Sequence, residues 1–89
     1  MVPDIPHGDR RCRELLDRAR ANPSGLRFRE LLRLAECHGF NPSRQRGSHV
    51  VLSADAASRP LVVQDVKGRA KAYQVRQLLD AIQRGENRR

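Results

Sequence analysis

The pattern of apolar and polar positions changes period at Phe40. Before it, hydrophobic residues recur at three- and four-residue steps, as on one face of a helix. Cys12, Leu15, Leu16 and Ala19 form a narrow stripe of this kind, with Asp9 placed as N-cap and Asn22-Pro23-Ser24-Gly25 as a stop, which predicts a helix over residues 9–22. Phe28, Leu31, Leu32 and Ala35 repeat the spacing and predict a second helix over residues 27–38, capped by Gly39. After Phe40 the apolar runs are short and β-branched. They predict strands over residues 40–46, 49–53 and 61–66, with Gly47-Ser48 as a turn between the first two and a polar loop over 55–60. Pro42 confines the first strand to a sheet edge or to its own first residues. Along the second strand Val50 and Leu52 point one way, His49 and Val51 the other. Lys67-Gly68-Arg69-Ala70-Lys71 reads as a basic connection into a last helix over 72–84, whose face is Val75, Leu78, Leu79 and Ile82 and whose end is Gly85.

The order is therefore one helix, then helix-strand-strand-strand-helix. Short connections pair the strands antiparallel, and the two flanking helices cover one face of the sheet, an α+β sandwich. The compact unit spans residues 26–84. Residues 1–8, broken by Pro3, Pro6 and Gly8, read as a loose arm, 9–22 as an additional helix docked through its stripe, and 85–89 as a charged, frayed tail.

Charge changes this picture by giving the second half a partner. Eighteen Lys and Arg stand against ten Asp and Glu, for a net charge of +8. Residues 1–39 hold eight basic and six acidic side chains, whereas residues 40–89 hold ten and four. The excess sits where the strands are, so the expected partner is a polyanion, either nucleic acid or an acidic protein masking the same face. The alternating charges along the first helix read as an ordinary solvated face. Aromatic residues make up only 3% of the chain, which argues against an extended platform of stacked bases. Cys12 and Cys37 lack Cys-x-x-Cys spacing and read as two small buried hydrophobes, with neither zinc nor redox chemistry expected. Cys37-His38 has no second pair to complete a metal site. No leader-like apolar run opens the chain and no stretch approaches the ~20 residues that span a bilayer, so a soluble, cytoplasmic protein without a membrane partner is expected.

The chemistry concentrates in Arg44-Gln45-Arg46-Gly47-Ser48-His49. Cleaving RNA without a metal requires a base to take the 2′-hydroxyl proton and fixed cations to meet the charge that develops on phosphate. His49 is the residue whose ordinary pKa suits the first task. Arg44, Arg46, Lys67, Arg69 and Lys71 suit the second, and Gly47 and Ser48 shape the turn that presents them. The basic run 67–71 also stands ahead of a helix, where unpaired backbone N–H groups favour phosphate. No acidic cluster suggests a two-metal site, so no cofactor is expected. No further histidine is placed to act as general acid, a task left to a lysine, Tyr73, solvent or a substrate group. The plain reading of His49 is a structural histidine in a sheet, and that of 67–71 a solubilising loop.

These residues carry a resemblance. Phe28-Arg29-Glu30-Leu31-Leu32, Gly39-Phe40 and Arg44-Gln45-Arg46-Gly47-Ser48-His49, followed by Lys67-Gly68-Arg69-Ala70-Lys71-Ala72-Tyr73-Gln74-Val75-Arg76-Gln77-Leu78-Leu79, resemble in order and spacing the HicA family of bacterial type II toxins. The resemblance implies a fold similar to a double-stranded-RNA-binding domain, an mRNA-cleaving endoribonuclease activity with His49 as the catalytic residue, RNA contacts from Arg44 and Arg46, and a HicB-like antitoxin that occludes the site. The alternative is a non-catalytic RNA-binding module on the same fold.

Overall fold

The computed structural model describes residues 10–55 and 59–87. In chain order the elements are α1 (Arg10–Ala21), a single 3-10 turn at Pro23–Gly25, α2 (Phe28–Cys37), β1 (Asn41–Arg46), β2 (His49–Ser53), β3 (Leu61–Val66), β4 (Arg69–Ala70) and α3 (Ala72–Asn87). The strands form one antiparallel sheet in the order β1-β2-β3-β4. The α+β architecture expected from the periodicity is present. The N-terminal arm at 1–8 and the Asp9 cap lie outside the described residues.

α1 docks through the stripe read from its sequence: Cys12, Leu15 and Ala19 are buried, and Leu16 is half-buried. α2 buries a wider face than expected, adding Leu34 and Cys37 to Phe28, Leu31 and Ala35, while Leu32 stays half-buried. The reason is that α2 has neighbours on two sides, the sheet and α1. The two cysteines require a correction. Both are buried, but they are joined in a Cys12–Cys37 disulfide that ties α1 to the end of α2. Their separation of 25 residues resembles no local motif, and only the antiparallel packing of the two helices brings them together. The same helix pair is clasped by Arg18, whose Nη1 and Nη2 donate to Glu30 Oε2 and Oε1 at 2.8 and 3.3 Å. The Arg27 backbone N–H donates to Glu30 Oε1 at 3.0 Å. The Arg18 hydrogen bonds, followed by that backbone bond, hold the Glu30 carboxyl below the usual carboxylate range.

One face of the sheet supplies Val50, Leu52, Val63 and Ala70 to a core that also contains Leu26, Leu31, Leu34, Phe40, Val75, Leu78 and Ile82. Pro42 lies in the edge strand β1, beside a register irregularity between Pro42 and Arg44. All six residues of that strand are exposed. Two further corrections concern the basic run. Arg69-Ala70 is a fourth strand, because Lys67-Gly68 closes a hairpin in which both residues have positive φ, 52° and 83°. The segment before α2 flanks this short strand: Ala70 N–H donates to Leu26 O at 3.1 Å and Phe28 N–H to Gly68 O at 2.9 Å. α3, moreover, does not stop at Gly85 but continues to Asn87. An interior glycine costs a helix only about 1 kcal/mol relative to alanine, too little to end one whose preceding turns are packed.

Candidate functional site

The site residues are placed by strand register. His49 on β2 lies opposite Arg46 on β1 and Gln64 on β3, so the three form one row across the sheet. Residues paired in this way share a face, with Cβ atoms roughly 4.5–5.5 Å apart. Val50 and Leu52 enter the core, so alternation puts His49 and Val51 on the opposite, helix-free face, as expected. The next row on that face is Arg44, Val51 and Val62. His49 is exposed, and among the described residues no side chain is hydrogen-bonded to its imidazole.

Both tight turns stand at the same end of the sheet, because β3 runs antiparallel to β2 and ends where β2 begins. Gly47, at φ +59°, turns β1 into β2. The adjoining Ser48 carbonyl accepts from Asp65 N–H at 2.9 Å, which ties this turn to the last residues of β3. The Asp65 carboxylate accepts from Gly68 N–H at 2.6 Å and so shapes the second turn from within. Val66 follows Gln64 on the open face by alternation, and Arg69 pairs with Val66. Arg46, His49 and Arg69 thus share one face near the two turns, with Lys67 in the second turn and Arg44 one row back.

Of the basic run expected ahead of the last helix, one residue only stands at a helix N-terminus. Lys67 and Arg69 belong to the hairpin, and Lys71 alone stands at the start of α3. Its ammonium lies 5.8 Å from the centre of the Tyr73 ring.

Three residues around His49 were not singled out from the sequence as binding groups. The Gln64 side chain extends to Ser48 Oγ at 3.4 Å. Gln74 is 5% exposed, and its Oε1 accepts the Gln64 backbone N–H at 2.8 Å. Its Nε2 reaches the Tyr73 hydroxyl at 3.5 Å. β4 is only two residues long and pairs with Asp65 and Val66, so Gln74 takes the place of a neighbouring strand at Gln64. A glutamine on a helix gives no sequence signal for this role, because its partner is fixed by where α3 crosses the sheet. A groove opens along this edge and is lined by His49, Val62, Gln64, Lys71, Tyr73 and Gln77, among others.

Among the described residues no group of three His, Cys, Asp or Glu side chains is placed to hold a metal. No helix among them is long and apolar enough to cross a membrane. Comparison with known proteins gives no relative: no protein-family model matches the chain, and no curated protein and no solved structure matches it significantly.

Proposed function

We propose that this chain is a HicA-like toxin: an endoribonuclease that cleaves mRNA at His49 without a metal, on a fold similar to a double-stranded-RNA-binding domain. The observation that carries the reading is the row Arg46-His49-Gln64 on the helix-free face, with Arg69 and Lys67 at the same end of the sheet. An exposed imidazole beside the Arg46 guanidinium, with further cations at the same end of the sheet, meets the two needs of 2′-hydroxyl attack, a proton acceptor and a cationic cradle for the phosphorane. In this mechanism His49 takes the 2′-hydroxyl proton. That oxygen attacks phosphorus, a 2′,3′-cyclic phosphate forms, and the 5′-oxygen leaves as a hydroxyl with a proton from a lysine, Tyr73 or solvent. Arg46 stabilises the developing charge, Arg44 and Lys67 hold flanking phosphates, and Gly47 and Ser48 set the turn. The basic face would be covered, and the activity silenced, by an acidic HicB-like antitoxin, which places the pair in the cytoplasm.

The test is RNA cleavage by the purified chain and by His49→Ala, each with and without EDTA. We expect the parent to cleave in EDTA and the variant to lose about 10²–10⁴-fold in rate, the usual worth of positioned acid–base help. Equal cleavage by both would remove His49 from the mechanism. Expression of the parent should arrest growth, and the alanine variant should not.

One observation favours the second reading, a non-catalytic RNA-binding module. No described side chain is hydrogen-bonded to the His49 imidazole, whereas a catalytic histidine is commonly oriented through its other nitrogen. Under that reading RNA binds in a salt-sensitive manner, is not cut, and binds the alanine variant equally well.

A further inference from the structure

The described residues expose three large hydrophobic side chains: Val62 at 48%, Val66 at 39% and Tyr73 at 53%. None of them is scattered. Val62 and Val66 lie on the helix-free face of β3, and Tyr73 stands at the first turn of α3, linked through Gln74 to the backbone of Gln64 beside His49. Two of the three line the groove that also holds His49 and Lys71. The other aromatic rings, Phe28 and Phe40, are buried.

Exposed apolar surface inside a basic rim is poorly suited to a duplex, whose bases are stacked away and whose outside is phosphate. It suits an unpaired nucleotide, which offers a flat apolar base and an anionic link on each side. We propose that the groove beside His49 takes one unpaired RNA nucleotide, its base stacked on the Tyr73 ring and against Val62. Of the two phosphates linked to this nucleotide, the reacting one lies at Arg46 and the other on Lys71. The substrate class is therefore single-stranded RNA or an unpaired segment of a folded RNA, although the fold proposed above is similar to a duplex-binding one. This rests on the ribonuclease reading for the role of His49 but not for the stacking contact. Gln74 is the positioning residue: buried and bonded to the Gln64 backbone, it docks the first turn of α3, which carries the ring, beside the row that contains His49.

The test is a binding cycle made in the His49→Ala background, so that no strand is cut. A fluorescein-labelled single-stranded RNA, a set of the same strands each lacking one base, and the matching duplex are titrated against three proteins: the background chain, its Tyr73→Leu variant and its Tyr73→Phe variant. The ring is half exposed, so both substitutions leave the core in place, and circular dichroism checks this. We expect Tyr73→Leu to weaken single-strand binding about tenfold, within the range measured for stacked bases. Tyr73→Phe should bind like the background chain. One abasic position should weaken background binding to a similar degree and have little further effect on Tyr73→Leu, because both remove the same contact. Duplex should bind more weakly than single strand. Undiminished binding by Tyr73→Leu, additive losses in the cycle, failure of Tyr73→Phe, or a duplex bound as tightly as the single strand would each overturn the stacking site and leave the ribonuclease reading standing. No binding of any RNA, with an acidic protein bound instead, would overturn both. Full stacking behaviour with no cleavage by the parent would keep this inference and remove the catalytic one.

Discussion

Gln74 shows how one buried side chain can take the place of a strand. Gln64 needs a partner for its backbone N–H on the side away from β2, and no residue of β4 reaches it. Gln74 Oε1 supplies that acceptor at 2.8 Å. Gln74→Leu keeps the bulk and removes the acceptor, leaving a half-buried donor without its bond. We expect a loss of about 1–2 kcal/mol in urea unfolding, the usual penalty for an unpaired polar group of this kind. RNA affinity should fall as well, since the same bond docks the first turn of α3, which carries Tyr73, against the His49 row. A variant that is destabilised yet binds RNA as before would separate the two roles.

At the scale of elements, the hairpin Lys67-Gly68 is where stability and the proposed binding role pull apart. Lys67 has φ +52°, a region that favours glycine and asparagine over a lysine. On the proposed reading, a lysine held there serves phosphate at the His49 end of the sheet. Lys67→Asn should therefore raise stability by about 0.5 kcal/mol in urea unfolding. It should also lower RNA affinity uniformly across sequences and reduce the slope of log affinity against log salt by about 1, the loss of one phosphate contact. A variant that gained stability with no change in salt slope would make Lys67 a bystander. The other turn shows the opposite arrangement, with Gly47 already relaxed at φ +59° and Arg46 beside it in a strand.

For the whole molecule, the Cys12–Cys37 bridge makes α1 part of the domain rather than an appendage. α1 also contributes Leu15 and Ala19 to the same core as the sheet. A chain of 89 residues has a limited hydrophobic core, and a cross-link over 25 residues is a substantial supplement. On the chain-entropy account such a loop is worth about 3 kcal/mol. Reductant, or the pair Cys12→Ser and Cys37→Ser, should lower Tm by roughly 15 °C for a domain of this size. Disulfides are rare in a reducing cytosol. Thiol alkylation of the chain inside cells reports which form is present: alkylation of both cysteines would show a reduced protein there, and protection of both an oxidised one.

The sequence determined what depends on neighbours close along the chain. Period identified the three helices and three long strands, because burial of one face repeats every 3.6 or 2 residues wherever an element lies on a core. It also placed His49 and Val51 opposite Val50 and Leu52, and Pro42 in an edge strand or at a strand's beginning. The tertiary structure decided what depends on distant pairing. The disulfide joins cysteines on two helices whose spacing is meaningless until those helices pack. β4 is two residues long, too short to show a period, and exists because Asp65 and Leu26 flank it. Leu34 enters the core only because α2 has two neighbours. The arrangement of the site follows the same rule. Arg46 and His49 are neighbours across a tight turn, but Gln64 is distant in sequence, and strand register sets it beside them. Chemistry suited to phosphate was legible in the residue types; the single row beside an exposed tyrosine was not.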